Sequence, residues 1–224
     1  MKPVVMMTQT HLYEDQRALI KHVPFIKTVA LTFDDHVLSA RYDWLIFTSK
    51  NAVKYFYPFL KRLQYRFIAV IGEKTKMFCN RLGIAVDYCP NDYSQEGILA
   101  NHPFKKEDTL LIPSSLQARP LLQETLRSEG MYVVKIDLYD VVPNEAAIQQ
   151  ARVAIENHTI DALTFASSSA AHAFFKQAPP NLRDFYYAIG SQTEETIQQY
   201  GYHCIVSDKQ TLNSIITKIV EKRS

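Results

Sequence analysis

The chain has 224 residues, with 25 Lys and Arg against 23 Asp and Glu for a formal net charge of +2, and 47% of it is hydrophobic. That balance excludes a non-specific nucleic-acid binder, which would carry a basic stripe, while the apolar fraction is ample for the core of one large domain or two small ones. Three cysteines without a CxxC and seven histidines without HxxxH or His/Cys spacing exclude a disulfide framework, predict reduced thiols of a cytoplasmic protein, and predict no metal site.

From the N-terminus, Val4–Met7 reads as a strand that turns polar at Thr8, too short for a signal peptide or a membrane span. His11–His22 reads as a helix, and Phe25–Leu31 is extended and leads into the polar stretch Thr32–His36. Trp44–Phe47 is a strand, and Lys50–Leu63 a helix with aromatics at Tyr55, Phe56 and Phe59. Phe67–Ile71 is a strand, Thr75–Leu82 a helix, Ala85–Tyr88 a strand, and Gln95–Ala100 a helix behind Ser94. Thr109–Ile112 is a strand, Leu116–Ser128 a helix stopped by Gly130, and Tyr132–Tyr139 a strand. After Pro143 come helix Glu145–Asn157, strand Ala162–Phe165, helix Ser168–Lys176, strand Tyr186–Ile189, helix Thr193–Tyr200, strand His203–Val206 and helix Leu212–Glu221.

Continuous apolar strands alternating with amphipathic helices predict an α/β protein with parallel sheets covered on both faces. About ten strands exceed one small sheet, so two doubly wound, Rossmann- or flavodoxin-like parallel-sheet lobes are expected. The crossings fall best at Thr32–His36 and Asp137–Pro143. They give a discontinuous lobe of residues 1–33 plus 141–224 and an inserted lobe of residues 34–140, joined by two strands running as a ladder.

Asp43–Gly83 and Asp161–Gly201 align without a gap at an offset of 118 (161 − 43 = 118). Shared positions include Asp43/Asp161, Ser49/Ser167, Phe56/Phe174, Thr75/Thr193 and Gly83/Gly201. Ser49/Ser167 and the GxxT units Gly72–Thr75 and Gly190–Thr193 stand where an apolar strand gives way to a helix. Such junctions offer unpaired N–H groups and the positive end of a helix dipole. Two copies predict two lobes facing a shared, negatively charged ligand. Ser94 precedes another helix, and Lys50, Asn51 and Ser168 flank the serine junctions. These residues either cap helices or form a cradle of donors.

Arg119 either forms a bidentate pair with a ligand carboxylate or is a solvated surface arginine. Tyr139 ends a strand at the expected crossing, as a hydrogen-bond or proton donor or as a half-buried strand aromatic. No GxG spacing occurs among the six glycines, which excludes the dinucleotide fingerprint and the P-loop. No Ser/His/Asp, Cys/His or paired-carboxylate constellation stands out, so an enzyme here would work more by positioning than by a strong acid–base apparatus.

These residues resemble the uroporphyrinogen-III synthase family over nearly the whole chain. The resemblance rests on Asp43-x-x-Ile46-Phe47-Thr48-Ser49-x-Asn51-Ala52-Val53, Val70-Ile71-Gly72-x-x-Thr75 and Leu110-x-x-Pro113 followed by Arg119. It continues with Val134-x-x-x-x-Tyr139, Phe165-x-Ser167-x-Ser169 and Ala188-Ile189-Gly190-x-x-Thr193. It implies a cofactor-free, cytoplasmic, monomeric lyase of tetrapyrrole biosynthesis. Such an enzyme takes a polycarboxylate substrate, the linear tetrapyrrole hydroxymethylbilane, removes water and closes the macrocycle with ring D inverted, through a spiro intermediate. It also implies transient contact with the enzyme that supplies hydroxymethylbilane. Ser49, Thr75, Arg119, Ser167 and Thr193 match the family's binding positions, with Lys50, Asn51, Ser94 and Ser168 beside them. Tyr139 matches the tyrosine thought to assist loss of the hydroxyl from ring A. The chain departs from the family at Lys76 and Glu194, where alanine is common after the threonine. Glu73, Glu194 and Glu195 also put negative charge beside supposed carboxylate sites. A non-catalytic two-lobed binder of a small anion remains the alternative.

Overall fold

The computed structural model describes residues 1–222. In chain order its elements are β1 (Val4–Met7), β2 (Leu19–His22), β3 (Ile26–Ala30), a 3-10 turn (Asp35–Ser39), β4 (Arg41–Phe47), α1 (Lys50–Phe56) continued by a 3-10 segment (Tyr57–Arg62), β5 (Gln64–Val70), α2 (Glu73–Arg81) and α3 (Gln95–Ala100). There follow β6 (Thr109–Ser115), α4 (Leu121–Ser128), β7 (Tyr132–Pro143), α5 (Glu145–Glu156), β8 (Ala162–Phe165), α6 (Ser168–Phe175), β9 (Tyr186–Ala188), α7 (Ser191–Gln199), β10 (Ile205–Val206) and α8 (Leu212–Glu221). The chain divides into two compact units, one of Met1–Lys27 with the residues from Val142 onward, the other of Thr28–Val141. Thr28–Ala30 belong to β3, whose neighbour is β7, and the Leu31 N–H donates to the Leu138 carbonyl at 3.0 Å.

The discontinuous unit holds a five-stranded sheet in the order β10-β9-β8-β1-β2, with every neighbouring pair parallel. Successive residues of a strand point to opposite faces, and both faces are covered. Met6, Leu163, Phe165, Phe174, Phe175 and Tyr186 pack with Ile148 and Ala151 of α5 on one face. Val5, Met7, Ala162 and Tyr187 pack with Ile215, Ile216 and Ile219 of α8 on the other. The inserted unit orders its sheet β3-β7-β6-β4-β5, with β4–β5, β4–β6 and β6–β7 parallel. Leu45, Phe47, Val53, Phe56, Ile68 and Val70 fill one face, and Trp44, Ile46, Leu110, Ile112, Leu122 and Leu126 the other.

The 118-residue repeat is a structural repeat. Asp43 and Asp161 each hand a carboxylate oxygen to a backbone N–H of the neighbouring strand, Thr109 at 3.0 Å and Val4 at 2.7 Å. Phe56 and Phe174 are buried beneath α1 and α6. Gly83 and Gly201 follow α2 and α7 with φ of +73° and +81°, a left-handed backbone that glycine adopts without a Cβ penalty.

Four expectations need correction. His11–His22 is not a helix: Leu19–His22 form β2, parallel to β1, and the Asp15 carboxylate accepts the Arg17 N–H at 2.9 Å and its guanidinium at 2.8 Å. That local bond competes with a helical turn. Ala85–Tyr88 leaves only a bridge, Ala69↔Tyr88, because the Asp87 side chain takes the Ile68 N–H at 2.7 Å. Leu116 does not start a helix. Its N–H donates to Tyr139 O at 2.9 Å, which prolongs the pairing of β6 with β7, and α4 begins only after Pro120. The single helix expected over Lys50–Leu63 tightens to 3-10 at Tyr57, where Pro58 removes a backbone donor.

Candidate functional site

In each unit the small polar residues gather at the carboxyl ends of parallel strands, where open α/β sheets take their ligands. Ser49 follows β4 in an extended conformation and caps α1, its Oγ accepting the Ala52 N–H at 3.1 Å. Ser167 repeats this after β8, accepting the Ala170 N–H at 3.3 Å for α6. Ser94 caps α3 through the Gly97 N–H at 2.8 Å. A Cβ at Gly97 would stand 2.1 Å from the Asp92 carbonyl oxygen, so glycine is required where α3 meets that loop. Ser168 donates to the Gln192 carbonyl at 3.0 Å, tying α6 to the first turn of α7.

The two GxxT junctions behave differently from the serines. Gly72 and Gly190 are the N-caps, and Thr75 and Thr193 donate their backbone N–H groups to those glycine carbonyls at 2.9 and 3.1 Å. Neither threonine hydroxyl has a hydrogen-bond partner among the described residues, although the side chains are only 5% and 4% exposed. The threonines are therefore not side-chain caps, and their hydroxyls lie in the first turns of α2 and α7.

Tyr139 lies within β7, which runs on to Pro143 instead of ending there, and it pairs with Ser115 just past an irregularity in the register. Its Oη is 3.0 Å from Ser49 Oγ. Ser49 Oγ already accepts the Ala52 N–H, so its own proton can go to Tyr139, leaving the tyrosine O–H free to donate to a third group. The Tyr139 ring stacks on Tyr55, with centroids 5.3 Å apart and planes inclined by 16°. Tyr55 was legible in the sequence only as a helix aromatic, since nothing in its spacing marks a partner on a strand 84 residues later (139 − 55 = 84).

Arg119 sits in the turn before α4, not one turn into a helix. Its fork is occupied by the Glu96 carboxylate, with bonds of 2.8 and 3.1 Å. The Arg119 guanidinium holds the Glu96 carboxyl below its ordinary value, chiefly through these bonds. The sequence reading missed Glu96, which stands where a ligand carboxylate was expected. Lys50 and Asn51 lie in the first turn of α1, and their side chains have no hydrogen-bond or ion-pair partner among the described residues. Beside Arg119, Thr48, Gln95, Ser114 and Lys135 line a cavity of about 10 Å³, room for no more than a water. A larger cavity of about 620 Å³ runs along β5 between Tyr57, Lys61, Arg66 and Ile84, and none of the expected site residues lines it.

Burial pushes the Cys79 and Cys204 thiols up to about 11 and about 12, so both are neutral near pH 7 and neither is an activated nucleophile. Among the described residues no three His, Cys, Asp or Glu gather as a metal ion would require, and no helix is long and apolar enough to cross a membrane.

The family model described as uroporphyrinogen-III synthase HemD matches residues 10–217. A uroporphyrinogen-III synthase of Synechococcus elongatus is 25% identical over 198 residues, covering 80% of this chain and 75% of its own. The crystal structure of uroporphyrinogen-III synthetase from Helicobacter pylori superposes with a TM-score of 0.67 at 19% identity, covering 100% of both chains. A mutant uroporphyrinogen III synthase from Thermus thermophilus does so with a TM-score of 0.59 at 17% identity, covering 99% of this chain and 100% of its own. These two structures share the fold.

Proposed function

The chain belongs to the uroporphyrinogen-III synthase family, and from that membership we propose that it acts as a lyase that dehydrates hydroxymethylbilane and closes it to uroporphyrinogen III with ring D inverted. The observation that carries the chemical step is the Ser49–Tyr139 pair. With Ser49 donating to it, Tyr139 presents its proton to the ring A hydroxyl. The C–O bond breaks, the oxygen leaves as water with that proton, and the ring A carbon becomes electrophilic. That carbon bonds to the already substituted carbon of ring D, giving a spiro intermediate, and the rest of the reaction depends on holding the chain in that geometry.

The substrate carries eight carboxylates, which suit helix N-termini better than one cationic pocket. The nine-residue α2 and α7 offer theirs, with the unpartnered hydroxyls of Thr75 and Thr193. Glu73 and Glu194, in the first turns of these helices, temper the positive end and suit hydrogen bonding more than charge pairing. The overall test is turnover of hydroxymethylbilane with the type I and type III products resolved. Production of type III supports the reading, whereas saturable binding without turnover returns the chain to a two-lobed anion binder.

Two smaller results are expected. Thr75→Val exchanges a hydroxyl that caps nothing for a methyl of the same shape, so the melting temperature should hold while KM rises about fivefold, the worth of one neutral hydrogen bond of about 1 kcal/mol. A lowered melting temperature with unchanged KM would make Thr75 a folding residue only. Glu96→Gln weakens the internal partner of an exposed Arg119. It should lower KM a few-fold at low salt and leave kcat alone, and an unchanged KM would show that Arg119 takes no substrate carboxylate.

A further inference from the structure

We infer that Tyr55 is a positioning residue for the hydroxyl of Tyr139. This rests on the reading above that the Tyr139 hydroxyl acts on the substrate. The hydrogen bond to Ser49 constrains only the oxygen of Tyr139, and one bond to a freely rotating hydroxyl does not set the plane of the ring that carries it. The second constraint comes from Tyr55, whose ring lies nearly parallel to that of Tyr139 at 5.3 Å, within the range of offset aromatic stacking.

Tyr55 is itself held. Its Oη lies 3.0 Å from the Thr28 carbonyl oxygen and 2.8 Å from Thr28 Oγ1. The Tyr55 O–H donates to both in a shared, three-centre bond, which ties it to Thr28. Both contacts with Tyr139 come from one rigid element. Ser49 is the N-cap of α1 and Tyr55 lies in its last turn, so the helix grips Tyr139 at the hydroxyl and along the ring. A leucine or methionine would fill the space beside Tyr139 but would carry neither the flat face nor the tether to Thr28. Misplacement of a catalytic group by a fraction of an ångström is costly, and such support by neighbouring packing is what holds it.

The test measures kcat, KM and the isomer ratio for the full chain and for Tyr55→Leu, Tyr55→Phe, Tyr139→Phe and the Tyr55→Leu/Tyr139→Phe double variant. Tyr55→Leu should lose about tenfold in kcat with KM within about twofold, and Tyr55→Phe, which keeps the stacking face, should stay within about threefold of wild type. In the Tyr139→Phe background Tyr55→Leu should cost no further kcat, because the hydroxyl it positions is gone. Equal losses in both backgrounds, or a Tyr55→Phe variant as slow as Tyr55→Leu, would overturn the inference. If Tyr55→Leu does not fold, Tyr55→Met replaces it with the same expectations.

A second readout needs no turnover. The Cζ resonance of Tyr139 in ¹³C-tyrosine-labelled protein should move in Tyr55→Leu and stay in Tyr55→Phe, and an unmoved resonance in Tyr55→Leu overturns the positioning role. Should Tyr139→Phe match wild type in rate while the resonance moves, the proton-donor reading of Tyr139 fails and the placement of its ring by Tyr55 stands.

Discussion

Tyr139→Phe is expected to lower kcat by about 100-fold or somewhat less, the low end of what general-acid help supplies. The substitution keeps the ring and its stack on Tyr55 at 5.3 Å, and removes only the oxygen that lies 3.0 Å from Ser49. Ser49 Oγ keeps its bond from the Ala52 N–H, so the cap of α1 survives and the melting temperature should change little. The loss stays at the low end because water leaves hydroxymethylbilane without an enzyme. That spontaneous closure does not invert ring D, so a slowed enzyme should let the type I isomer accumulate beside type III. The check is the isomer ratio at fixed substrate concentration, taken with the rate. A variant that matches wild type in both would leave Tyr139 as a strand aromatic and catalysis as the holding of a conformation alone.

Phe174→Ala is expected to cost about 3–5 kcal/mol of stability, the usual range for removing a buried phenylalanine. Phe174 is 1% exposed and stacks on Phe25 at 5.2 Å, with Phe165 at 5.7 Å, Phe175 at 5.3 Å and Tyr186 at 6.1 Å around it. Those rings come from β8, α6, β9 and the segment between β2 and β3, so they cannot all shift to fill one gap. Against a total stability of about 5–15 kcal/mol, the loss should show as a large fall in the denaturant midpoint. Phe174→Leu, which keeps most of the volume, should cost far less. A loss below about 1 kcal/mol in Phe174→Ala would mean that the cluster collapses around the gap.

The α/β class and the doubly covered parallel strands were legible in the sequence, because they follow from local apolar runs and their periods. The 118-residue repeat marked Asp43/Asp161, Ser49/Ser167 and Gly83/Gly201, and each pair makes the same local bond or turn in its own unit. Such roles depend on residues a few positions away or on the adjacent strand, so the pattern of residue types alone reveals them. His11–His22 misled because its composition suits a helix, while parallel pairing of Leu19–His22 with β1 offered backbone bonds that no local preference weighs. Ala85–Tyr88 misled in the opposite direction, since one aspartate side chain replaced a ladder bond.

The chemistry of the site divides along the same line. Sequence by itself determined which residues could cap, donate or carry charge: Ser49, Thr75, Arg119, Ser167 and Thr193 stand where a strand of a parallel α/β sheet gives way to a helix, and Tyr139 lies in a strand. It could not say that the serines cap and the threonines do not, because a hydroxyl one turn into a helix caps or stays free according to the backbone angles before it. Only the tertiary structure decided that Glu96 occupies Arg119, that Ser49 meets Tyr139, and that Tyr55 lies flat against the tyrosine ring. These are contacts between elements far apart in the chain. A hydrogen bond or a ring stack forms within a few tenths of an ångström or not at all, and that distance is set by the packing of whole sheets and helices.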